Sequence, residues 1–369
     1  MRTLVTGGAG FIGSHLVRRL VEAGDDVVVL DSLEEQVHRG AAPRVPDGVE
    51  FVHADVGDAD AVRAALAGVA RVVHLAAAVG VGQSMYEISR YTRTNTQATA
   101  DFLETLVGIG TTPQKLVVAS SMSIYGEGQY ECPEHGRVAP GPRPEPQLAE
   151  RRWEVVCGVC GAELRPMPTA EDKPLIPTSV YAVNKRDHEE LCLVVGAAYG
   201  IDSIALRFFN VYGPGQALSN PYTGVAAIFS SRLRNGNPPI VFEDGHQSRD
   251  FIHVDDIVTG IVKALESDQA AGHAINLGTG RQVTILDIAD ALQKGLGLDL
   301  EPELPGEYRA GDIRHCFADT SKADRLLGFR SSVSLESGMR DLVDWVDRQV
   351  AVDYVGEATS ELRVRGLAR

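Results

Sequence analysis

The sequence has no long apolar run and is poor in cysteine, lysine and aromatic residues. No stretch of about 18 consecutive apolar residues occurs, so we expect no membrane-spanning segment. The five cysteines are odd in number, which argues against a secreted disulfide framework. Only 35 basic residues oppose 50 acidic ones, giving a formal net charge of −15. That charge repels phosphate backbones and anionic lipids, so we expect no nucleic-acid or membrane partner and a cytoplasmic location.

Short apolar runs alternate with helical patterns through most of the chain. The strand-like runs and the helical periodicities follow one another at residues 2–6, 11–23, 27–30, 49–53, 60–67, 71–75, 96–107, 115–119, 180–199 and 203–208. This alternation predicts an α/β fold, a Rossmann doubly wound parallel sheet with right-handed crossovers. The pattern loosens after Gly213, which predicts a smaller mixed α/β C-terminal domain.

A glycine-rich turn joins the first strand to the first helix. It reads Thr-Gly-Gly-Ala-Gly-Phe-Ile-Gly over residues 6–13, where small residues let the backbone approach a pyrophosphate at the helix N-terminus. Asp31 ends the second strand, where a carboxylate accepts ribose hydroxyls and favours NAD over NADP. Asp55 and Val56 end the third strand, beside the expected adenine. The sequence therefore predicts a bound NAD, with contacts from Gly7, Gly10, Phe11, Ile12, Gly13, Asp31, Asp55 and Val56.

A tyrosine and a lysine lie four residues apart at the start of the helix predicted over 180–199. The spacing places Tyr181 and Lys185 on one helix face, where the ammonium group favours the phenolate and makes Tyr181 a general base near neutral pH. Ser121, after the strand at 115–119, supplies a further hydroxyl. Each feature alone also fits a solvated helix face or a strand-end cap.

Eight stretches together give the chain a strong resemblance to one family. They are TGGAGFIGSH, HLAAAVGVGQS, SSMSIYGEG, YAVNK, RFFNVYGPGQ, SRDFIHVDD, INLGTG and RAGDIRHCFADTSKA. Residues 1–345 resemble the extended short-chain dehydrogenase/reductases that modify nucleotide sugars. The resemblance implies a homodimer, a bound NAD also contacted by Leu75, Ala76, Ala77, Tyr181 and Lys185, and Tyr181, Lys185 and Ser121 as catalytic residues. It further implies a dTDP- or UDP-sugar substrate bound by Ser84, Ser121, Ser123, Asn210, Arg249, Arg309 and Asp312.

One departure from the family narrows the expected reaction. The 4,6-dehydratases of the family carry an Asp-Glu pair directly after the catalytic hydroxyl residue, whereas this chain has Met122 and Ser123. Without these carboxylates, acid/base catalysis of water loss is disfavoured. We therefore expect an NAD-dependent 4-epimerase, which oxidises C4 of the sugar and re-reduces it on the other face. A 4-ketoreductase and a decarboxylase of a C6 acid use the same residues and stay open.

The choice of sugar depends on finer resemblance. The stretches VGVGQSMYEI, ASSMSIYGEG and RFFNVYGPGQALSNPYTGV resemble the group that epimerises dTDP-L-rhamnose to dTDP-6-deoxy-L-talose. Epimerases of UDP-glucose and UDP-glucuronate share most of these motifs and are the alternatives.

Residues 128–175 interrupt the α/β pattern. The segment holds eight of the 18 prolines and three of the five cysteines, so we expect an insertion on a surface loop. Cys132 and His135 form one pair of ligand-type residues, and Cys157 and Cys160 form another. This arrangement suits a closed tetrahedral site and predicts structural Zn²⁺ in a zinc-ribbon-like insertion. Free thiols and a redox Cys-x-x-Cys motif are the alternatives.

These patterns divide the chain into four parts. We expect an NAD-binding domain at residues 1–206 with a returning segment near 241–273, and the metal-binding insertion at 128–175. Residues 207–240 and 274–345 are expected to bind the nucleotide sugar. The tail, 346–369, is polar and has no predicted role.

Overall fold

The computed structural model describes residues 1–40, 42–43, 45–110 and 112–369 of the chain. Its main feature is a seven-stranded parallel sheet in the order β13-β9-β5-β4-β1-β2-β3. Smaller sheets pair β10 with β12, β11 with both β14 and β15, and β6 with both β7 and β8. The strands are Arg2–Thr6 (β1), Asp26–Asp31 (β2), Glu50–His53 (β3), Arg71–His74 (β4), Lys115–Ser121 (β5), Gln129–Cys132 (β6), Gly136–Val138 (β7), Arg165–Met167 (β8), Asp202–Phe208 (β9), Asn210–Tyr212 (β10), Ser248–Arg249 (β11), Phe251–His253 (β12), Ala274–Leu277 (β13), Val283–Thr284 (β14) and His315–Cys316 (β15).

Helices cover both faces of the large sheet. They are Phe11–Glu22 (α1), Glu35–His38 (α2), Ala59–Ala65 (α3), Val81–Ser84 (α4), Ile88–Tyr91 (α5), Ala98–Gly108 (α6), Glu145–Ala149 (α7), Val180–Tyr199 (α8), Val225–Arg234 (α9), Val254–Glu266 (α10), Ile285–Leu296 (α11), Ser321–Leu327 (α12), Leu335–Val346 (α13) and Val355–Val364 (α14). A π-helical turn spans Thr92–Gln97, and a 3-10 turn spans Met122–Tyr125.

Burial on both faces explains why the strands of the large sheet are apolar without alternation. In β1, Leu4 packs with α3 and α6, while the next residue, Val5, packs with α1 and α10 on the other face. Successive strand residues point to opposite faces, so a strand covered on both sides needs consecutive apolar residues. The predicted Rossmann fold class is confirmed.

The domain boundaries differ from the expected ones. Ala274–Leu277, expected in the nucleotide-sugar domain, is the edge strand of the large sheet and pairs with β9 in parallel. Within the expected returning segment, α10, Ile252 and Ala270 pack in the core of the large sheet, whereas Val241 and Phe251 belong to the core around α9, α11 and α13. Short strands such as β13 lack the length needed to assign them to one sheet from sequence.

The helix expected over 96–107 begins differently in the structure. A π-helical turn at Thr92–Gln97 leads into α6, and the Asn95 carbonyl within this turn accepts a hydrogen bond from His188 Nε2 at 2.8 Å. The Asn95 side chain also holds both backbone groups of Ala78, with N–O distances of 2.8 and 3.0 Å. Single π turns of this kind concentrate at functional sites.

The insertion and the tail both have regular structure. Strands β7, β6 and β8 form an antiparallel sheet in the insertion. The tail forms α14, and an antiparallel bridge pairs Ala368 with Arg309. Within the described ranges, no helix is both long and apolar enough to cross a lipid bilayer.

Candidate active site

A cavity of about 700 Å³ opens at the carboxyl ends of the strands of the large sheet. Residues following β1, β2, β4 and β5 line one side, and residues from β10, β11, the 309–313 segment and α14 line the other. In parallel α/β sheets, this edge is where ligands bind. We refer to the two sides as the cradle side and the wall side.

The glycine-rich turn on the cradle side tolerates no additional side-chain atom. A Cβ at Gly13 would lie 2.2 Å from the Gly7 carbonyl oxygen, and one at Gly7 would lie 2.8 Å from the Ala76 nitrogen. Gly7 also has a φ of +68°, which favours glycine. Helix α1 begins at Gly10 without a side-chain cap, so its first N–H groups face the cavity. This geometry fits a dinucleotide pyrophosphate.

Asp31 has two roles on the cradle side. It lines the cavity, and its carboxylate accepts hydrogen bonds from Ala9 N–H at 3.0 Å and Leu33 N–H at 2.9 Å. It therefore holds the turn as well as facing the expected ribose. All the other predicted NAD contacts also line this cavity: Gly7, Gly10, Phe11, Ile12, Gly13, Asp55, Val56, Leu75, Ala76, Ala77, Tyr181 and Lys185.

The predicted catalytic residues meet where the two sides join. Helix α8 begins at Ser179, whose hydroxyl accepts a hydrogen bond from Ala182 N–H at 3.1 Å. This cap sets the helix so that Tyr181 and Lys185 line the cavity together with Ser121 from the end of β5. The Lys185 ammonium donates to the Ala119 carbonyl at 2.8 Å. Ser121 Oγ accepts a hydrogen bond from Ser123 Oγ at 2.9 Å.

Burial shifts the protonation equilibria of the catalytic pair. It raises the pKa of the Tyr181 phenol to about 12, and the Ser121 hydroxyl acts in the opposite direction. Burial also lowers the pKa of Lys185 to about 8. The protein groups alone therefore do not give the phenol the near-neutral pKa expected from the spacing, because burial disfavours the phenolate more than the Ser121 hydroxyl favours it.

A buried chain of neutral side chains supports Lys185 from behind. His188 Nδ1 lies 3.5 Å from Lys185 Nζ, and His188 Nε2 must donate to the Asn95 carbonyl, which can only accept. The chain continues through Thr99 to His74. Burial and the Lys185 charge hold the pKa of His188 well below its ordinary value and lower that of His74 to about 3. Both imidazoles are therefore neutral, and the Nδ1 lone pair of His188 faces the ammonium group.

Three amide side chains on the wall side have a free acceptor. Among the described residues, Asn210 Oδ1, Gln216 Oε1 and Gln247 Oε1 are buried without a hydrogen-bond partner. All three residues line the cavity. An unpaired buried polar atom is costly, so these oxygens fit a polar ligand in the cavity. Only Asn210 was predicted, because single glutamines in loops have no distinguishing pattern.

The structure brings Arg249, Arg309 and Asp312 to the wall side as predicted and leaves Ser84 out. Arg309 Nε donates to Asp312 Oδ2 at 2.8 Å. Ser84 is fully buried, and its hydroxyl accepts from Tyr181 N–H and donates to the Val81 carbonyl. Its predicted role as a substrate ligand is therefore wrong: Ser84 anchors the start of α8.

The tail supplies cavity residues that were not predicted. Val355, Ala358, Thr359 and Leu362 of α14 are buried and line the wall side, as does Leu367. Their spacing of three and four residues is that of an amphipathic helix face, a signal present in the sequence but obscured by the polar residues between them. The bridge between Ala368 and Arg309 joins the tail to the rest of the wall.

The insertion brings its four ligand-type residues together. The ligand atoms of Cys132, His135, Cys157 and Cys160 all lie within 4.8 Å of one another. Cys132 Sγ is 3.3 Å from His135 Nδ1 and 3.6 Å from Cys160 Sγ, too far for a disulfide. A tetrahedron with Zn–S bonds of about 2.3 Å has edges of about 3.8 Å. The donor set therefore fits a tetrahedral Zn²⁺ ion.

Comparison with known proteins identifies the family. Residues 3–146 and 157–278 match the NAD dependent epimerase/dehydratase family. The chain belongs to this family. The match is interrupted at residues 147–156, inside the insertion, and ends before the wall segment 309–313 and the tail.

Two family members that are similar over almost the whole chain are named as 4-epimerases. A dTDP-L-rhamnose 4-epimerase of Burkholderia thailandensis is 35% identical over 95% of this chain and 96% of its own length. A UDP-glucose 4-epimerase of Mycolicibacterium smegmatis is 32% identical over 94% of this chain and 98% of its own length. The predicted membership of the nucleotide-sugar epimerase enzymes is thereby confirmed.

Solved epimerase structures have the same fold. The UDP-glucose 4-epimerase of Thermotoga maritima with UDP-glucose superposes with a TM-score of 0.77 at 30% identity, covering 94% of this chain and 99% of its own. The UDP-glucuronic acid 4-epimerase of Bacillus cereus with UDP-glucuronic acid and NAD gives 0.76 at 28% identity, covering 94% and 99%. These relatives act on different sugars, so family membership does not decide the substrate.

Proposed function

We propose that the protein is an NAD-dependent nucleotide-sugar 4-epimerase. The observation that carries the proposal is the meeting of Tyr181, Lys185 and Ser121 between the glycine cradle and the wall side of one cavity. Met122 and Ser123 follow Ser121, so the site has no carboxylate pair there for water loss. NAD supplies reversible hydride transfer at C4 of the sugar.

The chain's own residues manage the proton and the position of the sugar. Tyr181 takes the proton of the C4 hydroxyl as the hydride leaves, and returns it when the 4-keto sugar is reduced on its other face. Ser121 orients that hydroxyl, and Lys185 stabilises the phenolate. Oxidised NAD held by the cradle would add a positive charge that also favours the phenolate and would offset the effect of burial on the pKa of Tyr181.

We further propose dTDP-L-rhamnose as the sugar, giving dTDP-6-deoxy-L-talose. The 35% identical relative supports this choice. The wall also carries apolar side chains from α14, among them Leu362 and Val355, which suit a 6-deoxy sugar better than a C6 carboxylate. UDP-glucose and UDP-glucuronate are the alternative substrates, because relatives of those names are similar over the same length.

Proton NMR of dTDP-L-rhamnose with purified protein and no added cofactor tests the reaction. New anomeric and H4 signals that settle to a constant ratio are expected, because an epimerase regenerates its cofactor in each turnover. Formation of a 4-keto sugar only with added NAD⁺ or NADP⁺, matched by an equal amount of NADH or NADPH, would indicate a ketoreductase running in reverse instead. No change with dTDP-L-rhamnose but turnover of UDP-glucose or UDP-glucuronate would reassign the sugar alone.

We propose that the insertion binds one structural Zn²⁺ through Cys132, His135, Cys157 and Cys160. Four protein ligands leave no open coordination position, so the metal orders the insertion and takes no part in the hydride chemistry. Metal analysis of the purified protein is expected to give about one zinc per chain. Folded, active protein without metal, or with a Cys157–Cys160 disulfide, would contradict this proposal.

We also propose a cytoplasmic homodimer. Helix α8 leaves Val183 and Val194 exposed, at 44% and 67% of their surface, on the same side of the helix. Two such helices pairing with α6 of each copy would form a four-helix interface. Light scattering is expected to give twice the 39.6 kDa chain mass. Val194→Glu should shift the protein towards monomer, whereas a monomeric wild type would contradict the dimer.

A further inference from the structure

The insertion meets the wall side of the cavity through a buried network of charged residues. Arg143 and Glu154 belong to the insertion, and Glu243 and Arg314 belong to the region around the wall. The side chains of Arg143, Glu243 and Arg314 are each at most 2% exposed. Charges buried to this extent are stable only when paired, so the network fixes the relative position of the segments that it joins.

Arg143 forms the first link between the insertion and the wall. Its guanidinium donates to both carboxylate oxygens of Glu243, at 3.0 and 2.6 Å, and to the Asp312 carbonyl at 3.2 Å. It also donates to the Trp153 carbonyl within the insertion, at 2.9 Å. Glu243 has a φ of +55°, a strained conformation for a residue with a Cβ, which these bonds help to hold. The Arg143 side chain therefore connects residues 143 and 153 of the insertion to Asp312.

Glu154 forms the second link. Its carboxylate accepts from Arg314 Nε at 2.9 Å and lies 3.1 Å from His315 Nε2. The Ile313 and Arg314 carbonyls in turn accept from Arg249, at 2.7 and 3.0 Å. Arg249 lines the cavity, and one of the carbonyls that hold its guanidinium belongs to Arg314, whose side chain Glu154 binds.

The metal cluster lies at the other end of the insertion sheet. Cys132 ends strand β6, and Cys157 precedes Leu164, with which it shares the core that also contains Tyr130. Tyr130 donates to Glu127 Oε2 at 3.0 Å, and Glu127 accepts from Arg314 N–H at 2.8 Å. The described contacts thus run without a gap from the ligand residues to residue 314.

We infer that the insertion positions the wall segment 309–313 and Arg249 through Arg143 and Glu154, so that its metal supports nucleotide-sugar binding without touching the sugar. This inference rests on the proposed function of the cavity. Arg143 and Glu154 are positioning residues: Arg143 binds the Asp312 carbonyl, Glu154 binds the side chains of Arg314 and His315, and neither lines the cavity. The cradle side has no link to this network among the contacts described above, so NAD binding should not depend on it.

Two mild substitutions test the links. Arg143→Lys keeps the charge but cannot bind Glu243 and the two carbonyls together. Glu154→Gln removes a charge from a side chain that is 35% exposed, so the fold should survive. Arg165→Met, on the same insertion but 70% exposed, is the matched control. Titration calorimetry with UDP and with dTDP measures the affinity, and released NAD, zinc content and melting temperature are measured on the same samples.

We expect affinity for the preferred nucleotide to fall about tenfold in both Arg143→Lys and Glu154→Gln, as for the loss of a charged hydrogen bond, with NAD and zinc retained. Hydrogen exchange of residues 309–315 should rise in parallel, and Arg165→Met should behave as wild type. Cys157→Ser, lacking metal, should show the same loss of affinity with NAD retained.

Three results would overturn the inference. Unchanged affinity in both Arg143→Lys and Glu154→Gln, with normal wild-type binding, would overturn this inference and leave the proposed function intact. A metal-free Cys157→Ser protein that binds nucleotide like wild type would show that the metal does not support nucleotide binding. Wild-type protein that binds neither UDP nor dTDP would overturn this inference and the proposed substrate class together.

Discussion

The two sides of the cavity are built in opposite ways. The cradle side comes largely from residues 7–77, close together in sequence, and depends on glycines and backbone N–H groups. The wall side combines residues near 210–249, the 309–313 segment and α14, and depends on side chains. A shared cofactor needs one fixed shape, whereas sugars differ between relatives. The side that we propose binds the shared cofactor is built from one local segment, and the side that we propose faces the sugar is assembled from distant segments.

The largest effect is expected where the two sides join. Tyr181→Phe should lower kcat by about 10² to 10⁴-fold, because it removes the only hydroxyl assigned to proton transfer. NAD content should stay at the wild-type level, since the aromatic ring and the cradle are unchanged. NMR turnover assays and quantification of released NAD measure both. Near-normal turnover would refute the assigned base.

A substitution in the cradle should act on the cofactor first. Gly13→Ala would place a Cβ 2.2 Å from the Gly7 carbonyl oxygen, so the turn must open. We expect bound NAD to fall by at least about tenfold, with loss of turnover. Gly108→Ala is the control, since a Cβ there meets no atom within 4 Å. Full NAD occupancy in the Gly13 variant would show that the cradle is not the pyrophosphate site.

A substitution in the wall should act on the sugar and spare the cofactor. Leu362 lines the cavity and is 6% exposed. Leu362→Ala should raise KM for the nucleotide sugar about fivefold, which corresponds to about 1 kcal/mol of lost apolar contact, with NAD content unchanged. Val364→Ala, at an 81% exposed position of the same helix, should leave KM unchanged. Equal effects of both would mean that α14 acts only through stability.

The smallest effect concerns stability in acid. Partial burial alone would raise the pKa of Glu154, but hydrogen bonds from His315 and Arg314 lower it to about 2. The carboxylate therefore stabilises the folded state above its ordinary pKa, and this contribution is lost as the pH falls from about 4.5 towards 2. Urea unfolding of wild type and Glu154→Gln should differ most at pH 7 and converge below pH 3. A constant difference across this range would contradict the lowered pKa.

The sequence could predict the features of the site that depend on local spacing, but not those that depend on contacts distant in sequence. The glycine turn, Asp31 and the Tyr181–Lys185 pair were predictable because each depends on local spacing. The role of Ser84 was not, since only the fold shows that its hydroxyl is used by Tyr181 N–H and the Val81 carbonyl. The sheet membership of Ala274–Leu277 and the link from Arg143 to Asp312 depend on contacts distant in sequence, which no local pattern specifies.

The bridge between Ala368 and Arg309 also sets an order of events during synthesis. Residues of the glycine turn leave the ribosome long before residues 355–368, and domains begin to fold from the N-terminal side as the chain grows. The wall cannot be complete until α14 packs on the cavity and Ala368 pairs with Arg309. A nascent chain can thus form its glycine turn well before it has a closed wall side, so the proposed sugar site is complete only after residue 368 has been translated.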